Sequence, residues 1–239
     1  MNVLEHLEPK SVFRFFEEMC AIPHGSRNTK AVSDWCADFA RARGLEYHQD
    51  GDNNIIIIKE AAPGYEAAPP VILQGHLDMV CEQTADCQKD MSREGLDLAV
   101  DGDFVYAKGT TLGGDDGIAV AMALALLDAE GLPHPRLEAV FTVDEEIGLL
   151  GAASIDVTPL KGRQMLNLDS EAEGIFTVSC AGGNTSACLL PLTRAPFDGA
   201  GVTVAVGGLT GGHSGAEIHK GRANANVLMG RILRAAARR

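Results

Sequence analysis

The ten residues Leu137-Glu-Ala-Val-Phe-Thr-Val-Asp-Glu-Glu146 (LEAVFTVDEE) read as a largely apolar strand, Leu137 to Val143, that runs directly into three adjacent acids. An exposed acidic turn is the ordinary reading of such a charge run. Apolar flanks on both sides, the strand and then Ile147 to Leu150, argue against it here. A carboxylate beside a buried strand end sits in a poor solvent for charge, so it must protonate, pair or bind a cation. The pattern recurs. Val71 to Gln74 is a short apolar strand ending in Gly75-His-Leu-Asp78, and Gln164 to Leu168 ends in Asp169-Ser-Glu171. Between the first two strands, Gly113-Gly-Asp-Asp-Gly117 opens a strong helix, Ile118 to Glu130, stopped by Gly131 and Pro133. Alternating strands and helices predict an α/β layer fold. In open α/β sheets, ligands bind outside the C-terminal ends of the strands, where these polar residues fall.

The remaining elements follow from periodicity. Ser11 to Met19 and Thr29 to Arg43 carry apolar residues at helical spacing. Asp50 to Asn54 is a turn cluster feeding the β-branched strand Asn54 to Lys59. Residues 82–103 are polar and read as a surface excursion, and a short helix is expected over Ile147 to Ser154. From about residue 187 the texture changes: Val202 to Val206 reads as a strand, Gly207 to Gly215 is glycine-rich, and Ala223 to Ala237 has helical spacing. We therefore expect two domains, 1–186 and an incomplete 187–239.

The chain has 239 residues, 46% of them hydrophobic, and a formal net charge of −13. That balance is globular, and the negative charge disfavours nucleic acid and anionic membranes as partners. The N-terminal segment lacks a basic start followed by an apolar core, so no signal peptide is expected. The apolar run Gly117 to Leu127 is too short to span a bilayer. A cytoplasmic location is expected. Cysteines at 20, 36, 81, 87, 180 and 188 form no C-x-x-C pair. They are expected to be free and mostly buried.

His76, Asp115, Glu146 and Asp169 would together line one crevice rich in carboxylate, with few basic residues nearby in sequence. Aspartate at a helix start is also a good cap, which accounts for one of Asp115 and Asp116 but not for both. One histidine with several carboxylates suits zinc, manganese or cobalt better than a calcium cage. Two cations close together need a bridging carboxylate, for which Asp115 is the natural candidate. Asp78 lies two residues past His76 and can orient its ring, while Glu145, beside ligand Glu146 but aimed differently, can act as general base. No EF-hand loop, P-loop, G-x-S-x-G elbow or H-E-x-x-H motif occurs.

At these residues the chain resembles a known family. GHLDMV (75–80), GTTLGGDDGIAVAMALALL (109–127), TVDEEIGLLGA (142–152), LNLDSEAEG (166–174) and GGHSGAEIHKGRANAN (211–226) are similar, in order and spacing, to the aminoacyl-histidine dipeptidases. These are cytosolic enzymes of the two-zinc aminoacylase/carboxypeptidase superfamily. The resemblance implies a zinc-peptidase mixed sheet sandwiched between helices, with the start of an inserted α+β lid domain. It implies two zinc ions, with Co2+ or Mn2+ as substitutes and no organic cofactor. By position, His76 and Asp169 match the ligands of one zinc, Asp115 the bridge, and Glu146 a ligand of the other. Asp78 matches the carboxylate that orients the ligand histidine, Glu145 the general base, and His213 a lid histidine that contacts substrate or the tetrahedral oxyanion. Family members are about twice as long and supply a further ligand histidine near their C-terminus, which no stretch here matches. Asp116 stands where the family often has asparagine.

The expected function is metal-dependent hydrolysis of Xaa-His dipeptides. The alternatives are a non-catalytic metal-binding remnant, or an aminoacylase or carboxypeptidase on the same scaffold. The expected partner is a small peptide substrate, and an uncovered apolar surface would favour self-association as a homodimer.

Overall fold

The computed structural model describes residues 3–170, 173–180, 182–184, 186–212 and 217–238. The chain divides into two compact units, Met1–Cys180 and Ala181–Arg239.

The first unit is a mixed α/β layer structure. Its described strands are β1 (Glu46–Gln49), β2 (Ile55–Lys59), β3 (Val71–His76), β4 (Leu98–Asp101), β5 (Phe104–Ala107), β6 (Leu137–Thr142) and β7 (Gln164–Asn167). Five of them form one sheet in the order β1-β2-β6-β3-β7. β3 runs parallel to both β6 and β7, while β2 is antiparallel to β6 and to β1. Strand alternation splits the apolar side chains between two faces. Ile55, Ile57, Leu73, Ala139 and Phe141 join one core with the buried residues of α1 (Lys10–Cys20), α2 (Lys30–Ala42) and α3 (Gly114–Asp128). Ile56, Ile58, Ile72 and Val140 form a smaller core on the other face, covered by Ile155 and Leu160 beyond α4 (Leu150–Ser154). β2 is buried on both faces, which explains its run of four isoleucines. Glu138 is fully buried among these apolar residues. It accepts from Arg136 Nε at 2.7 Å and from the Lys161 and Gly162 amides at 2.9 Å each, so its charge is matched.

The helices and the strands β2, β3, β6 and β7 fall close to where periodicity places them, with α3 starting four residues earlier across the non-helical Asp115 and Asp116 and α4 starting three residues later; β1 (Glu46–Gln49) was not expected as a strand. Residues 82–103 are more than a surface excursion. β4 pairs antiparallel with β5 across the turn Gly102-Asp103, where Gly102 has φ +57°. The short strands alternate weakly in polarity, which hides them from a periodicity reading. The cysteines also differ from expectation: Cys20 and Cys36 are buried, but Cys81, Cys180 and Cys188 are exposed.

In the second unit the described elements are a 3-10 turn, Ile218–Lys220, and α5, Ala225–Ala236. α5 is capped by Asn224, whose side chain accepts from the Asn226 and Val227 amides. Val202 to Val206, expected as a strand, takes no strand conformation. A strand needs a partner for its backbone groups, and β-propensity without one does not make a ladder.

Candidate metal centre

Parallel pairing brings the chemistry together. His76 is in register with Thr142, so the ends of β3 and β6 emerge side by side. On the other flank of β3, the Leu168 amide bonds to Gln74 O at 3.1 Å. This bond extends the β3–β7 pairing by one further residue and carries the chain on to Asp169 at the same edge. Beneath these ends lies the start of α3. Its first residues do not behave as a capped helix: Gly113 has φ +68°, no side chain caps the end, and Asp115 and Asp116 leave helical φ/ψ around a cis peptide. Capping therefore accounts for neither acid.

His76 is buried, with its Nε2 3.1 Å from Asp115 Oδ1 and 3.9 Å from Glu145 Oε2. Its Nδ1 lies 2.9 Å from the Asp78 carbonyl oxygen and 3.5 Å from the Asp78 carboxylate. The backbone carbonyl is thus the closer orienting partner. The Asp78 carboxylate, expected to orient the histidine, is also held elsewhere. It accepts from the Glu145 amide at 3.0 Å, the Glu146 amide at 3.4 Å and the Ser26 hydroxyl at 2.8 Å. Asp116, for which no chemistry was expected, is buried, and its Oδ2 accepts from the His76 amide at 3.2 Å. That carboxylate fits only because residue 75 is glycine: a Cβ there would stand 2.6 Å from Asp116 Oδ2.

Two sets of donor atoms gather within 4.8 Å, His76/Asp115/Glu146 and Asp115/Asp116/Asp169. Asp115 belongs to both, as the bridging position requires. The grouping departs from the expected pairing of His76 with Asp169: His76 groups with Glu146, and Asp116 enters beside Asp169. Two clefts meet at Gly114 and Asp115, one of about 160 Å³ reaching Leu168 and Asp169, the other of about 270 Å³ reaching Val80 and Glu146. A larger cleft of about 670 Å³ lies at the opposite end of the strands, where Arg43 already pairs with Asp128 and Lys59 with the Ala129 carbonyl.

The electrostatics are those of uncompensated acid. Among the described residues, His76 is the one ion-pair partner of Asp78, Asp115 and Glu145. Burial pushes Asp116 up to about 7, helped by Asp169 and Asp115 and opposed by His76. Asp169 rises to about 6 through burial and the neighbouring Asp115, and burial also raises Glu146. Burial alone would lower the His76 pKa, but Asp78, Asp116 and Asp169 outweigh it and lift the ring to about 10. Asp78 goes the other way: burial would raise it, and its bonds from His76, Glu145 and Ser26 hold it below the usual carboxylate range. Oxygen-rich donors with one imidazole, among which burial and neighbouring acids raise Asp116, Glu146 and Asp169, fit a pair of divalent cations. His213 lies outside the described residues.

Sequence reasoning missed Asp116 as a donor and Ser26 as a partner of Asp78. The doubled aspartate was the available signal for the first. Ser26 carries none, because its partner lies 52 positions away.

Comparison with known proteins agrees with this geometry. Residues 72–189 match the model of peptidase family M20/M25/M40. The chain is 39% identical over 237 residues to the cytosol non-specific dipeptidase of Escherichia coli K12, covering 98% of this chain and 48% of that protein. Its structure is similar to that of the aminoacylhistidine dipeptidase from Vibrio alginolyticus, with a TM-score of 0.71 and 34% identity over 96% of this chain and 47% of the other. A tripeptidase from Staphylococcus aureus shares the fold, with a TM-score of 0.57 at 22% identity over 68% of this chain and 44% of the other. The chain spans about half the length of the curated relatives it matches.

Proposed function

The chain belongs, through residues 72–189, to peptidase family M20/M25/M40, and we propose that it provides the metal centre of a dipeptidase acting on Xaa-His dipeptides. The observation that carries this reading is Asp115, whose carboxylate is shared by two donor sets at the ends of parallel strands. We assign His76, Glu146, Asp115 and Asp169 as the ligands, with Asp116 beside Asp169. Zinc is the proposed metal, with cobalt or manganese as substitutes, since one imidazole and several carboxylates suit these ions. When bound, such a pair polarises the scissile carbonyl and lowers the pKa of water.

The chain's own residues supply the proton movement. Glu145 Oε2 sits 3.9 Å from His76 Nε2, beside the donor cluster rather than within either set. From there it accepts the proton of the attacking water and passes it to the leaving amine. Its main chain is pinned by the Asp78 carboxylate, which fixes where its side chain starts. His213 keeps the substrate-binding role that the family resemblance implies.

The proposed setting is the cytoplasm, with a small peptide as substrate, no nucleic-acid or membrane partner, and a homodimer as the assembly. Among the described residues, no helix is long and apolar enough to cross a membrane.

The test is metal analysis of the 239-residue chain, followed by assays on Xaa-His dipeptides, other dipeptides, tripeptides and N-acyl amino acids. Two metals bound and preferential cleavage of Xaa-His dipeptides support the reading. Metal binding without hydrolysis indicates the non-catalytic alternative, and preference for N-acyl amino acids indicates an aminoacylase. No metal bound refutes the centre itself.

A further inference from the structure

We infer that Ser26 is a positioning residue, whose hydroxyl locks the Asp78 carboxylate in the orientation that places Glu145 and Glu146. The inference rests on the metal-centre reading above. It starts from the Asp78 carboxylate, which is buried yet is not spent on His76 alone. Its Oδ1 accepts the Glu145 amide at 3.0 Å, and its Oδ2 accepts the Ser26 hydroxyl at 2.8 Å and the Glu146 amide at 3.4 Å. A carboxylate has two oxygens and one rotatable plane. Fixing Oδ2 from the Ser26 side therefore fixes the direction in which Oδ1 meets the Glu145 amide.

Ser26 can hold this position because its own segment is fastened to both strand ends. The Met79 amide donates to His24 O at 3.2 Å, and the Ser26 amide returns to Met79 O at 3.4 Å. Gly25 forms a parallel bridge with Met79. One residue on, the Arg27 amide donates to Asp144 Oδ1 at 2.6 Å. The connection between α1 and α2 thus bonds to the chain just after β3 through Met79 and Asp78, and to the chain just after β6 through Asp144. Ser26 is the residue of this connection whose side chain reaches the Asp78 carboxylate. The arrangement extends outward from the ligands in three steps: Glu146 and the base Glu145, then Asp78, then Ser26. Outer partners of this kind orient inner groups and tune metal affinity.

The experiment compares wild type, Ser26→Ala and the hydroxyl-retaining Ser26→Thr as the full 239-residue chain. Three quantities are read: the backbone amide resonances of Glu145 and Glu146 in metal-free protein, the affinity and visible spectrum of bound Co2+, and the metal-free melting temperature. In Ser26→Ala both amide resonances should move, Co2+ affinity should fall about tenfold, and the cobalt spectrum should change. Its melting temperature should fall by only about 2–4 °C, the effect of one lost hydrogen bond. Ser26→Thr should restore affinity and spectrum. Three results would overturn the inference: unchanged amides and cobalt binding in Ser26→Ala, equal loss in Ser26→Thr, or unfolding of metal-free Ser26→Ala, which would mark a purely structural role. If wild type itself binds no Co2+, the metal-centre reading fails separately, and the metal-free amide resonances still decide whether Ser26 positions Glu145 and Glu146.

Discussion

His76 Nε2 and Asp115 Oδ1 stand 3.1 Å apart, a buried imidazole against a half-exposed carboxylate. The carboxylates around His76 lift its pKa to about 10 against the opposing effect of burial, so the ring is a cation at neutral pH. A ring nitrogen that ligates a metal must give up its proton. Zinc binding should therefore release at least one proton at pH 7, and affinity should rise with pH. Calorimetric titration in two buffers of different ionisation enthalpy reads this directly, and identical heats in both would contradict it.

The same shifts predict the stability of metal-free protein. The folded pKa of His76, about 10, lies above its ordinary 6.5. Its contribution is present in full below about 6.5 and is lost as pH rises through 10. Asp116 acts in the same direction at lower pH, because its folded pKa of about 7 lies above 3.8. Chelator-treated protein should melt at progressively lower temperature from pH 6.5 to 10, and saturating zinc should reduce that dependence. Melting curves across the range, with and without metal, check the sign.

Glu145→Ala should leave metal stoichiometry unchanged, because Glu145 belongs to neither donor set. Where the proposed dipeptidase activity is present, turnover should fall by about 10²–10⁴-fold, the usual contribution of a general base. Metal analysis and the steady-state rate on one dipeptide, measured on the same preparation, decide it. Unchanged turnover would remove Glu145 from the mechanism.

Asp115→Ala should be more damaging to binding than Glu146→Ala. Asp115 is common to both donor sets, whereas Glu146 serves one. The expected result is loss of both metals from the first variant and of one from the second, read by elemental analysis after dialysis.

Far from the proposed metal centre, Glu138→Ala should destabilise the first unit by about 1–3 kcal/mol, because it removes one of the two carboxylates on the buried Arg136, leaving Glu60, and frees the Lys161 and Gly162 amides. Burial opposes ionisation of Glu138, but Arg136 and those amides hold its pKa below the ordinary 4.5. Its stabilisation is thus present above pH 4.5 and is lost as pH falls through the depressed value. Denaturant titrations of wild type and variant should converge as the pH is lowered into that range.

Much of this protein was legible before folding was considered. Strand-end polarity at His76, Glu146 and Asp169, and the glycines around Asp115, marked the crevice because periodicity and local composition are properties of neighbours in the chain. The β4–β5 hairpin was not legible, since its short strands alternate weakly. Val202 to Val206 misled for the opposite reason: propensity was present, and among the described residues no strand pairs with it.

By itself, the sequence determined the α/β alternation, the residues released at the strand ends and the family they resemble. Only the tertiary structure decided how those residues divide the work. It turned the Asp78 carboxylate toward the Glu145 and Glu146 amides, brought Ser26 across 52 positions to hold it, and seated Asp116 against Gly75. The physical reason is that a hydrogen bond depends on distance and direction in space. Residue types state what a side chain can donate or accept, and strand register then decides which partner it meets.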